Sequence, residues 1–308
     1  MNISIKHVRV ALLVAVGLMA PAAAEAQENN AYRERVDTSV TMEKGGTLSV
    51  SVYSGRVSVT GASGSTVHIR GTVERGEMDF RARPTSVTIS TQQEGPHGGK
   101  ADLDITVPTG TRVVLEGFSA PFTVRGVKGE AKVESLSGNV IVSDAVGRVN
   151  VGVVSGNIQV DRVKGDLRAE AVSGYLELTD IDGDIEAESV SGRIIMTGAS
   201  SKSVRAETVS GSVGYSGTFD PSGSYTLKSH SGRVTMGLPA DAGATVSLET
   251  FSGNVDSDFP VTLESGTSRS GHESRFEFRI GNGRSRIIAE TFSGDIRIQR
   301  STTRDNRE

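Results

Sequence analysis

Gly165-Asp166-Leu167-Arg168-Ala169-Glu170-Ala171-Val172-Ser173-Gly174-Tyr175-Leu176-Glu177-Leu178 decides the fold. Leu167, Ala169 and Ala171 alternate with Arg168 and Glu170, and after a turn at Ser173-Gly174, Leu176 and Leu178 alternate with Tyr175 and Glu177. Period two marks a strand with one buried face. The pattern then repeats. Leu136-Ser137-Gly138-Asn139-Val140, Val154-Ser155-Gly156-Asn157-Ile158 and Val190-Ser191-Gly192-Arg193-Ile194 keep the same order, and Gly138, Gly156, Gly174 and Gly192 lie 18 residues apart. Gly129, Gly147, Gly165 and Gly183 fall midway, so each unit holds two half-units of nine.

Nine residues for a strand and its turn leave no room for a crossover helix. Like units bury their apolar faces only by stacking, each strand pairing with its equivalent one coil away. The sequence therefore predicts an all-β chain, a β-solenoid (parallel β-helix-like) of 18-residue coils. A sandwich of hairpins also accommodates short strands and frequent turns. Turn glycines continue with looser spacing at Gly211, Gly232, Gly253 and Gly294. The 41 residues between the last two imply a unit that has lost its signature or become a loop. Phe118-Ser119-Ala120 is a degenerate copy, and Tyr53-Ser54-Gly55-Arg56-Val57 an early one, distant in sequence.

The remaining divisions follow. Residues 1–26 read as an export signal: Lys6 and Arg9 precede the apolar run Val10–Met19, and Ala24-Glu25-Ala26 supplies the cleavage pattern, leaving Gln27 as the mature start. Ten apolar residues are too few to span a bilayer, so the mature chain is expected not to cross a membrane. Residues 27–117 read as an irregular N-terminal β cap with the first coils, 118–299 as the solenoid, and 300–308 as a charged, disordered tail.

Composition limits function. The net charge of −4 is no basis for nucleic-acid binding, and the absence of cysteine removes disulfides, thiolate metal sites and thiol nucleophiles. His68, His97, His230 and His272 are scattered, and no carboxylate pair is singled out from the repeat. No catalytic residue, cofactor site or metal site is assigned. The run Asp180–Glu188 concentrates five carboxylates and suits Ca²⁺ by composition, but it lacks the glycine-rich nonapeptide of calcium-binding rolls. A glutamate recurs four residues before the turn glycine, at Glu134, Glu170, Glu188, Glu207, Glu249 and Glu290, with Glu116 before the degenerate copy and Gly152 and Lys228 as interruptions. Stacking aligns these into a surface ladder, either a face for cations or a basic partner or a solvated face that keeps the rod soluble. The outward residues after each turn, such as Asn139, Tyr175, Arg193 and Asp295, vary most.

Leu103-Asp104-Ile105-Thr106-Val107-Pro108-Thr109-Gly110-Thr111, the serial Ser-Gly units, and Gly281-Asn282-Gly283 ahead of Ala289-Glu290-Thr291-Phe292-Ser293-Gly294 resemble the bacterial putative-adhesin family of β-strand-repeat domains, a domain of unknown function. The resemblance spans about residues 40–298. It implies a β-helical fold, an envelope or extracellular setting, and no catalytic residues. The expectation is a non-enzymatic exported adhesin or binding scaffold, meeting an unknown surface ligand or envelope protein in the periplasm, at the cell surface or outside the cell. A polysaccharide-degrading β-helix enzyme and a periplasmic envelope-stress sensor or structural module are the alternatives.

Overall fold

The computed structural model describes residues 33–74, 76–91, 99–239, 242–259, 269–270 and 273–301; the export-signal reading, His97, His272 and the tail beyond Ser301 lie outside them. The chain is a β-solenoid. Each coil supplies one strand to each of two faces. On the first, Val140–Val146, Ile158–Lys164 and Leu176–Asp182 pair in parallel. On the second, Ala131–Ser137, Val149–Ser155, Leu167–Ser173 and Ile185–Ser191 do the same. Register follows the repeat: Leu167 lies opposite Val149 and Ile185, 18 residues either way. Between the faces Leu167, Ala169, Leu176 and Leu178 are buried, while Arg168, Tyr175 and Glu177 face water.

The Ser-Gly corners stack as a column. The amide of Gly156 donates to Ser173 O at 3.1 Å and that of Gly174 to Ser191 O at 3.2 Å. A β-carbon on Gly174 would lie 1.9 Å from Gly156 O, and one on Gly192 1.8 Å from Gly174 O. Close backbone approach, more than dihedral freedom, is what makes glycine necessary here: Gly192 needs it without a left-handed φ. Ala120 fills the same place in its coil, with Pro121 next. The hydroxyls that reach the corner carbonyls belong to the residue three before the glycine rather than to the serine beside it. Ser135 donates to Ala120 O, Ser229 to Gly211 O and Thr291 to Gly232 O.

The stacking order departs from sequence order at both ends. Ser285–Ser293 pairs in parallel with 224–231 on one side and with Ala244–Ser252 on the other, and Ile296–Arg300 likewise lies between Val234–Leu238 and Val255–Ser257. The last coil in sequence is therefore the penultimate coil in space, and the glycine column runs Gly211, Gly232, Gly294, Gly253. Part of the 41-residue gap forms Glu273–Ile280, which caps Ala244–Ser252 as an antiparallel strand. At the other end Thr47–Ala62 inserts between the coil of Ser86–Thr91 with Lys100–Pro108 and the coil of Arg112–Ser119 with Phe122–Arg125. The early copy at Gly55 is thus stacked as a regular rung, between Ala101 and Ala120. Antiparallel strands Met78–Arg83, Thr66–Glu74 and Arg33–Thr41 cover this end.

A second column turns the first face in mid-strand. Gly126, Asp144, Arg162, Asp180 and Gly198 occupy it, all left-handed, with φ of 66°, 55°, 53°, 52° and 67°. Three are not glycine, and each such residue costs about 1 kcal/mol. Asp144 recovers part of this through Arg162, whose Nε donates to its Oδ1 at 2.7 Å; that hydrogen bond holds the Asp144 carboxyl below its ordinary range. The Asp180 side chain makes no hydrogen bond among the described residues. Asp180→Gly is expected to stabilise the chain by up to about 0.5 kcal/mol, the relief of strain being partly offset by the backbone entropy of glycine, read as a slightly higher midpoint in thermal unfolding. A lower midpoint would show that the bend is not strained.

Farther along, Ile194–Ser210 and Val213–Ser231 carry extra residues past the bend. Tyr215, Phe219 and Tyr225 fill the added width, their ring centroids 4.5–5.6 Å apart. Tyr225 Oη donates to Ser201 O, and burial pushes the Tyr215 hydroxyl up.

Candidate functional site

The second face alternates normally up to its last turn. Leu167, Ala169 and Ala171 point in, Arg168 and Glu170 out. At Val172 the alternation puts an apolar side chain outside, because the inward place beside it is already filled by Ala171. Every coil repeats this. Register aligns the outward residues at this place in spatial order as Tyr53, Phe118, Leu136, Val154, Val172, Val190, Val209, His230, Phe292 and Phe251, apolar on every rung but that of His230. Among the described residues, eight of the eleven exposed large hydrophobic side chains belong to this one column. Their exposure, 41–51%, makes the column a continuous apolar ridge. At about 4.8 Å per rung it runs for roughly 43 Å.

Both ends of the ridge are aromatic. Tyr53 stacks on Phe118 with centroids 4.9 Å apart and planes 4° apart. Phe292 lies between His230 at 5.0 Å and Phe251 at 4.8 Å, again nearly parallel. The coil spacing imposes this geometry, since identical positions one coil apart put rings at stacking distance.

The glutamates flank the ridge on one side, two residues upstream. Glu116, Glu134, Glu170, Glu188, Glu207, Glu290 and Glu249 lie on successive strands, with Gly152 and Lys228 in the gaps. Mutual repulsion at rung spacing is relieved from several sides. Lys132 pairs with Glu134 at 2.8 Å, Arg205 with Glu207 at 2.9 Å, Lys228 with Glu290 at 2.7 Å, and Arg168 with both Glu170 and Glu186. The hydrogen bond to Glu134 lifts Lys132 above the ordinary lysine range. Glu116 and Glu188 have no cation within ion-pair distance among the described residues. Ridge and glutamates bound a trough of about 1390 Å³ that runs the length of the rod.

The carboxylates of 180–188 do not converge. Glu186 is engaged by Arg168, Asp184 Oδ1 accepts the Ser203 amide at 3.1 Å, Glu188 faces the trough, and Asp180 sits on the bend column of the other face. No group of three or more histidine or carboxylate side chains among the described residues has a geometry able to hold a metal ion. His68 Nδ1 lies 2.5 Å from Ser39 Oγ near the N-terminal edge, far along the sequence from His230 on the ridge. The turn glycines Gly138, Gly156, Gly174, Gly192, Gly211, Gly232, Gly294 and Gly253 form the corner beside the ridge. The sequence carried a signal for the ridge that its glutamates overshadowed. Two adjacent apolar residues, such as Ala171 and Val172, cannot both face inward on a strand.

Fold and trough together define a β-solenoid repeat protein that offers a linear surface in place of an enclosed pocket. The chain belongs to the Toastrack family, DUF4097, whose family model matches residues 23–299. No curated protein matches it. Among solved structures it is similar to a putative adhesin of Bacteroides fragilis, at 11% identity over 86% of this chain and 97% of that one, with a TM-score of 0.43. It is also similar to a putative adhesin of Parabacteroides distasonis (10%, 86% and 97%, TM-score 0.36). A putative cell adhesion protein of Clostridium sporogenes is a third (12%, 87% and 100%, TM-score 0.22). No helix among the described residues is long and apolar enough to cross a membrane.

Proposed function

We propose that this protein is a non-enzymatic, exported binding scaffold of the cell envelope, and that the trough beside the apolar ridge is its protein-binding surface. The observation that carries this reading is the ridge. A strip of ten rungs, apolar on all but that of His230, marks an interaction site, whereas scattered exposed hydrophobics such as Val146 and Ile195 need no explanation. The glutamate row, with Glu116 and Glu188 without an ion-pair partner among the described residues, disfavours anionic occupants such as acidic glycans and nucleic acid. They also argue against glycan cleavage. Each is equivalent to its neighbours and all lie on one side of the ridge, so no acid and base flank a common bond. Export is supported by the basic start, the apolar run and the Ala24-Glu25-Ala26 sequence.

Site-specific photo-crosslinking in intact cells tests the reading. A benzophenone side chain at Val190 is expected to capture protein strongly, and one at Gln159, exposed on the opposite face, to capture little. Equal capture at both, or none at Val190, would overturn it. Protease shaving of the same cells, beside a periplasmic control, separates display outside the cell from periplasmic residence.

A further inference from the structure

We propose that the occupant of the trough is a second copy of this chain, docked parallel and in register about a twofold axis that runs along the rod. This rests on the reading of the trough as a protein-binding surface and names its partner. Three observations carry it.

The first is period. A row of apolar groups at about 4.8 Å is matched along its whole length only by a partner with the same repeat. An extended peptide advances about 3.4 Å per residue and an α-helix 5.4 Å per turn, so each drifts out of step within a few rungs. A second copy meets it rung for rung, Phe118 on Phe118 at one end and Phe292 on Phe292 at the other.

The second is charge. The glutamates flank the ridge on one side only. A twofold axis along the rod places the two glutamate rows on opposite flanks of the joint. An axis across the rod would run the copies antiparallel and set glutamate row against glutamate row, which like-charge repulsion opposes.

The third is area. Eight ridge residues stand 41–51% exposed. At roughly 70–90 Å² each for side chains of this size, they offer on the order of 600 Å² per copy, or about 1,200 Å² for the pair, where stable interfaces begin. The stems of the glutamates beside them add to this.

The absence of cysteine allows a sharp test on the purified mature chain. Leu136→Cys and Val209→Cys, prepared separately, are treated with a bismaleimide long enough to bridge the roughly 10 Å between packed sheets. Each is expected to give a covalent dimer, with Gln159→Cys on the opposite face giving none. Light scattering is expected to return twice the chain mass for the unmodified protein. Val172→Asp with Val190→Asp is expected to return a monomer with an unchanged circular dichroism spectrum. A dimer linked only when Leu136→Cys is mixed with His230→Cys would show the antiparallel arrangement and overturn the proposal. A monomeric protein without crosslinks overturns it as well. If Val190 then still captures a protein of another mass in cells, the binding surface stands and only its partner changes; if it captures nothing, both readings fall.

Discussion

Gly174→Ala is expected to destabilise the chain by about 3–5 kcal/mol, at the far end of what single substitutions do. The new methyl would lie 1.9 Å from Gly156 O and 2.7 Å from its carbonyl carbon, both backbone atoms of the preceding coil. A φ of 131° also strains any side chain there. Relief requires the two coils to part by more than an ångström at the corner. That stretches the bond from Gly156 N to Ser173 O, which joins those two coils at the corner. Gly152→Ala is the matched control. It lies mid-strand on the same face, and its β-carbon would meet only Glu134 Cγ at 3.9 Å. That change is expected to be neutral or slightly favourable, because an interior strand glycine gives up about 0.5–1 kcal/mol of backbone entropy. Thermal unfolding of the two variants should differ by roughly 10 °C. Midpoints within a degree or two of each other would sink the close-approach account of the corner.

Ending the chain after Ile280 should do more damage than the loss of one terminal coil. The removed residues include Ser285–Ser293 and Ile296–Arg300, which are interior to the stack. Their loss strips backbone partners from 224–231 and Val234–Leu238 on one side and from Ala244–Ser252 and Val255–Ser257 on the other. It also removes Ile287, Ala289, Ile296 and Ile298, all fully buried. Hydrogen exchange is expected to lose protection across 213–257 together, as one cooperative unit. Ending the chain after Ser301 leaves every described strand in place and is expected to leave protection unchanged. Retained protection at 244–257 in the shorter chain would mean that this coil closes onto its sequence neighbour. The threaded order would then not be required for stability.

The regular part of this fold was legible because register and sequence spacing coincide there. Gly138 to Gly192 stack in chain order, and the inward Leu167, Ala169, Leu176 and Leu178 follow from alternation alone. The glutamate row was legible for the same reason. The threaded ends were not. A unit such as Phe251-Ser252-Gly253 looks like any other coil, and nothing local says whether its neighbour is Gly232 or Gly294. The bend column was silent because Asp144, Arg162 and Asp180 adopt a conformation that only glycine advertises. The corner hydroxyls were not legible: the serine that recurs is the one beside the glycine, but the residue whose hydroxyl reaches the carbonyl is Ser135, Thr208 or Thr250, two positions before that serine. The apolar ridge was present in the sequence as a lapse of alternation at Val154, Val172, Val190 and Val209, and its meaning appears only when the lapses line up.

The threaded ends also restrict how such a rod changes length over generations. Between Ala131 and Ser210 neighbours in sequence are neighbours in space, so a tandem duplication of one unit there adds a rung with its own corner glycine and ridge residue. The same duplication beside Gly55 or Gly294 would have to be wedged into a place whose flanking strands are already committed to distant parts of the chain. Relatives with longer or shorter rods should therefore differ by whole multiples of the repeat in the middle third, with the two clasped ends inherited unaltered.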